Sequence, residues 1–177
     1  MSTPEGALIV AFYEGTGRDE RGRSLEDILK FDDDMLERTH DFIQWLFPTR
    51  ERSGANPQAP RLDDAAIARF LTDPNLRSGL RRSFDRMLAF YGMIWSGKRI
   101  VPGPSFPARN GWLTRTHNHL RLTRMLTSLR VLADEPAARA LYRCLCDIDA
   151  RERRSGRQPI SGITLRYWSD AVHAPLQ

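Results

Sequence analysis

Lysine is nearly absent from this sequence, cysteine is sparse, and no long apolar run occurs. Of 27 basic residues only Lys30 and Lys98 are lysines. Arginine scattered from Arg18 to Arg166 with so little lysine is the pattern a GC-rich coding sequence produces. The net charge of +5 therefore does not by itself mark a nucleic-acid interface. Cys144 and Cys146, the two cysteines, stand at i, i+2, which on a helix points them to different faces and forbids a mutual bridge. No CxxC pair offers zinc or dithiol chemistry, so both are read as reduced, partly buried thiols. The apolar run near the start, "ALIVAFY" (Ala7 to Tyr13), falls far short of the roughly 20 residues a membrane-spanning helix needs. It also lacks the basic flank and cleavage site of a secretory leader. These absences lead to the expectation of a soluble, cytoplasmic protein with no membrane span.

Strand signals are almost missing as well: "ALIVAF" and "ITLRYW" alone have strand-like composition. What is present is helical spacing. Ser24 with Asp27 three residues on forms a capping-box variant before Leu25, Ile28 and Leu29. The acidic run Asp32 to Asp34 suits a helix N-terminus and opens an apolar stripe through Met35, Leu36, Phe42, Ile43 and Leu46 that Pro48 ends. Asp63 caps a short helix carrying Ile67, Phe70 and Leu71. Asp73 before Pro74 opens a longer one with Leu76, Leu80, Phe84, Met87, Leu88 and Tyr91, and Gly92 marks its end. "THNHLRLTRMLTSLRVLAD" sets Leu122, Met125, Leu126, Leu129 and Ala133 on one broad side. Glu135-Pro136 restarts a helix with Leu141, Tyr142, Leu145 and Ile148, and "ITLRYWSDAV" is either a last short helix or an extended tail. At 177 residues the chain suits one domain. The expectation is a single all-α globular domain over 1–177 with six to eight helices and long irregular loops near 48–61 and 96–112.

Chemistry-bearing patterns are few. "HNH" (His117 to His119) sets its two histidines about 160° apart on a helix, too far round to share a metal. "EGTGRDERG" after "ALIVAFY" fits neither phosphate-loop template, and reads as a mobile turn. The acidic run Asp32 to Asp34 is explained by the helix dipole, no nucleophile motif is present, and no cofactor or metal is expected. One arrangement stands out: His117, Arg121, Arg124 and Ser128 recur at i, i+4, i+7 and i+11 as a polar stripe beside the apolar face. Guanidinium forks suit a carboxylate or phosphate; a structural ion network neutralised by acids such as Glu51 or Asp41 is the alternative, and the favoured one.

Together the segments "FYEG", "GRSLEDILKFDDDMLERTHDFIQWLFPTRE", "MLAFYG" and "HNHLRLTRMLTSL" resemble the N-terminal domain of the opioid growth factor receptor family. The likeness runs over roughly residues 8 to 133, with "IQWLFP" followed by Arg-Glu as its most specific element. The length and arginine bias point to a domain-only bacterial or fungal member. The resemblance implies a helical domain and a receptor for the pentapeptide met-enkephalin, unrelated to seven-helix opioid receptors, with no catalytic residues to carry over.

The leading expectation is thus a helical binding module for a peptide or small anionic ligand, with Trp45, Arg50, His117, Arg121 and Arg124 lining its site. A nucleic-acid-associating protein, using Arg151 to Arg157 and the Arg77–Arg86 face, is an alternative that is not favoured. An unrecognised enzyme acting on an anionic metabolite, with His117 or His40 as acid or base, is another. Trp112 and Trp168 are the residues expected to offer apolar surface for a dimer; the sequence does not give the oligomeric state.

Overall fold

The computed structural model describes residues 4–132 and 134–175; Ala133, expected on the apolar side of its helix, lies outside the described residues. The chain forms two compact units, Met1–Arg86 and Met87–Gln177. Among the described residues the architecture is all-α apart from one two-stranded hairpin.

The first unit contains α1 (Pro4–Glu14), α2 (Leu25–Leu29), α3 (Asp33–Arg38), α4 (Ile43–Leu46), α5 (Asp64–Thr72) and most of α6 (Pro74–Phe90). Local chemistry sets most of these boundaries. The Ser24 hydroxyl accepts from the Asp27 amide while the Asp27 carboxylate returns the bond, a complete capping box. Asp32 and Asp63 cap α3 and α5 in the same way, each accepting from the amide three residues on at 2.7 Å. "ALIVAFY" is helical rather than extended: Ile9, Phe12 and Tyr13, at i, i+3 and i+4, are all buried. The single helix expected from Asp32 to Pro48 is two, because the chain turns extended at Thr39 (ψ 128°). The Asp41 carboxylate just beyond is drawn to Arg23 at 2.7 Å and Arg21 at 3.0 Å. Met35 consequently leaves the apolar stripe and is exposed, as is Leu71 on α5. "EGTGRDERG" is a turn built around the buried Asp19, whose carboxylate accepts from the amides of Arg21 and Arg23 and from Arg23 Nε at 2.6 Å. An acid occupies the centre where a phosphate loop would need an anion hole.

The second unit contains the end of α6, β1 (Met93–Ser96), β2 (Arg99–Pro102), α7 (Phe106–Arg109), a 3-10 turn (Asn110–Thr114), α8 (Thr116–Val131), α9 (Glu135–Arg154) and α10 (Gly162–His173). The region near 96–112, expected to be irregular, carries the hairpin, α7 and the 3-10 turn. Met93 pairs with Pro102 and Trp95 with Ile100 across the antiparallel ladder, and Gly97 supplies the positive φ (+59°) its turn requires. "ITLRYW" is helical, capped by Ser161 and anchored by the fully buried Trp168, whose indole N–H donates to the His119 carbonyl at 3.2 Å. Trp112 is buried too and donates to the Tyr91 carbonyl at 3.1 Å. Neither tryptophan therefore offers apolar surface to a second copy. Arg151 to Arg154, expected in a solvated loop, form the last turn of α9, where cations complement the helix dipole and Arg153 reaches back to Asp149. The helix count rises to ten among the described residues because one-turn pieces such as α4 and α7 add to the longer helices read from periodicity.

Candidate functional site

Within the second unit a groove of about 390 Å³ runs between the β1–β2 turn and α9. Its volume lies within the range typical of small-ligand sites. From α9 come Glu135, Arg139, Arg143 and Asp147, four charged residues at steps of four, with Pro136 and Ala140 beside them. A helix repeats about every 3.6 residues, so each step of four advances only about 40° round the axis and successive members of the series are neighbours on the helix surface. Lys98 at the hairpin turn and Arg99 and Ile100 of β2 form the opposite side.

The charges are unevenly partnered. Arg139 gives both Nε (2.8 Å) and Nη2 (2.5 Å) to one oxygen of Glu135. That hydrogen bond holds the Glu135 carboxyl below its usual value, so it is ionised at neutral pH. Arg99 and Asp147 approach only to 3.7 Å, and both side chains are more than two-thirds exposed. Such a pair contributes little, and is easily exchanged for another partner. Among the described residues, Lys98 and Arg143 have no carboxylate within ion-pairing distance. Two carboxylates thus face four cations, and Ile100, Pro136 and Ala140 add an apolar strip to the lining.

The residues singled out in the sequence are distributed over both units and do not line this groove. Trp45 belongs to the first unit, where it is buried, packs on Phe12 with ring centroids 5.2 Å apart and donates its indole N–H to Glu20. Arg50, also in the first unit, is partly exposed and pairs with Asp64 at 2.6 Å. His117, Arg121 and Arg124 share α8 in the second unit. Arg121 is 3% exposed, whereas His117 and Arg124 are half-buried. Asn118, which periodicity alone did not single out, is the hub here. Its Oδ1 accepts from Arg121 Nη1 at 3.2 Å and from the Tyr91 hydroxyl at 3.3 Å, and its amide nitrogen lies 3.2 Å from His117 Nε2. His119 points elsewhere: buried against Trp168, it bonds the Leu113 carbonyl at 2.8 Å, and burial holds its pKa below 6.5. The two histidines do not converge, and no group of three His, Cys, Asp or Glu among the described residues could hold a metal.

The basic clusters weighed for nucleic acid are largely neutralised. Arg81, Arg82, Arg86, Arg153 and Arg157 each lie within 3.1 Å of a carboxylate. No helix among the described residues is long and apolar enough to cross a membrane. Both thiols are free, and burial raises the pKa of each, Cys144 to about 12.

The groove could have been read from two signals: the four-residue spacing of charge from Glu135 to Asp147, and "WSGKRI", a glycine turn between strand-like residues. Their juxtaposition depends on tertiary folding.

The geometry so far describes a mainly helical domain bearing a mixed-charge groove. Comparison with known proteins adds the lineage: residues 8–175 match the region described as "Opioid growth factor receptor (OGFr) conserved region", and the chain belongs to that family. The match extends past the 8–133 segment that carried the resemblance. Among its relatives is the opioid growth factor receptor of Rattus norvegicus, 36% identical over 121 residues, or 64% of this chain and 21% of that protein. The Homo sapiens receptor is likewise 36% identical over 121 residues, covering 64% and 18%. Opioid growth factor receptor-like protein 1 of Xenopus tropicalis is 36% identical over 120 residues, covering 64% and 23%. The chain spans about a fifth of the length of these relatives. No solved structure matches it.

Proposed function

We propose that this domain binds a peptide or small anionic ligand, and that the groove between β2 and α9 is where the ligand's negative end is taken. The observation that carries this reading is the pair of cations, Lys98 and Arg143, that face the groove without a carboxylate of their own among the described residues. A guanidinium fork and an ammonium lining one groove suit a carboxylate, and the strip of Ile100, Pro136 and Ala140 suits an apolar side chain in the same groove. The relatives' printed name makes an opioid growth factor the first peptide to try, and the resemblance of the sequence makes that peptide met-enkephalin. Isothermal titration of the full chain with met-enkephalin and with its C-terminal amide tests the reading. The acid is expected to bind and the amide to bind at least about tenfold more weakly, because a charge-assisted bond is lost. Equal affinity, or no binding of the acid, overturns it.

For the residues derived from the sequence we propose a division of labour. Trp45 and Arg121, being buried, serve as support, each within its own unit, while Arg50 in the first unit and, separately, His117 and Arg124 in the second keep partial exposure. Replacing Arg124 with Ala and repeating the titration decides its share: unchanged affinity means Arg124 does not meet the ligand.

A further inference from the structure

We infer that the ligand class preferred by the β2–α9 groove is a phosphomonoester on an apolar stem, rather than a lone carboxylate. This rests on the groove being the anion site described above, and narrows it by charge.

Four cations against two carboxylates leave two positive charges, held by Lys98 and Arg143. A carboxylate carries one negative charge and would leave one of these cations uncompensated. A phosphomonoester carries about −1.5 to −2 at neutral pH and presents three acceptor oxygens. It can therefore meet the ammonium of Lys98 and the guanidinium of Arg143 together. Arg99 is available as a third donor, since its contact with Asp147 is long and solvent-exposed. Arg139 is not, because Glu135 takes both its Nε and its Nη2. The apolar strip formed by Ile100, Pro136 and Ala140 lies in the same groove and provides a surface for the stem that carries the phosphate.

Glu135 and Asp147 argue against a nucleic-acid strand. They line the same groove and would repel the successive phosphates of a polyanion, whereas a single phosphate can sit between them and touch only the cations. The groove's limited volume, about 390 Å³, also fits a side chain better than a polymer.

Titration of the full chain with four probes, and competition with a single-stranded oligonucleotide, tests the inference: the probes are a short phosphotyrosine peptide, its unphosphorylated twin ending in a free carboxylate, phenyl phosphate and inorganic phosphate. The phosphotyrosine peptide is expected to bind at least about tenfold more tightly than its twin, and Lys98→Ala and Arg143→Ala to weaken it about tenfold each. Both residues are exposed, so circular dichroism should show the variants folded. Phenyl phosphate matching the peptide also supports the inference, and identifies a free organic phosphate as the source. Equal binding of the unphosphorylated twin overturns the phosphate inference but leaves the groove as a carboxylate site. Failure of every probe overturns both. Inorganic phosphate equalling the peptide removes the apolar stem and overturns the inference as stated, as does a single-stranded oligonucleotide that outcompetes the phosphopeptide.

Discussion

Gly92 and Gly97 bracket the first strand of the hairpin, and the contrast between them makes a quantitative test of how the second unit is held. Both have positive φ, +73° and +59°. An alanine at either position meets a left-handed backbone penalty of about 1–2 kcal/mol. Space separates them. A methyl on Gly92 would lie 2.7 Å from Phe106 Cα and 3.1 Å from Phe106 N, and these backbone atoms start α7. A methyl on Gly97 would meet nothing within 4 Å. Backbone cannot swing aside as a side-chain tip can, so overpacking adds about 1–3 kcal/mol at Gly92 alone. The expected cost is thus about 2–5 kcal/mol for Gly92→Ala and about 1–2 kcal/mol for Gly97→Ala. Urea unfolding followed by tryptophan fluorescence measures both; Trp95 and Trp112 report on this unit. With a slope of about 2 kcal/mol per molar, the middle of the usual range, Gly92→Ala should lower the midpoint by roughly 1–2.5 M. Equal loss in the two variants, or a larger loss at Gly97, would refute the argument that Gly92 is required by the close approach of α7.

Three further outcomes are expected. Asn118→Ala removes the acceptor shared by Arg121 and the Tyr91 hydroxyl inside the second unit and should cost about 2–4 kcal/mol in thermal or urea unfolding; a loss under about 0.5 kcal/mol would mean the hub is dispensable. His119 is held neutral by burial, with its folded pKa below 6.5. Its contribution is therefore present above pH 6.5 and lost as pH falls from there through the lower folded value, and His119→Gln should flatten the part of the stability profile below pH 6.5 that this group causes. Cys144 runs the other way: its folded pKa of about 12 exceeds the ordinary 9.0, so its contribution is full below pH 9 and declines as pH rises toward 12. At pH 8 a thiol reagent should label Cys144 only after denaturant is added; rapid labelling of Cys144 in the native protein would contradict its burial.

How much of this was readable in the chain varies with the range of the interaction. The caps at Ser24, Asp32 and Asp63 and the stripe of Leu76, Leu80, Phe84, Met87, Leu88 and Tyr91 could be read directly, and all six of those apolar residues are buried. The break at Thr39 could not, because it accompanies a pull on Asp41 from Arg21 and Arg23, distant in sequence. "ALIVAFY" looked extended because apolar β-branched residues suit strands, yet among the described residues no strand pairs with it, and burial of Ile9, Phe12 and Tyr13 sets it as a helix. The polar residues of α8 were found by spacing, but Asn118, the group that binds them together, looked like an interruption between two histidines.

The sequence by itself determined the helical class, most of the helix starts and the family, since capping and apolar periodicity act over a few residues and a family likeness is carried by residue identity. Only the tertiary structure decided that Lys98 and Arg143 face one groove, that Arg139 is taken by Glu135, and that Trp112 and Trp168 are buried. Those outcomes depend on which side chains meet after the hairpin, α8, α9 and α10 come together, and no local spacing encodes such a meeting.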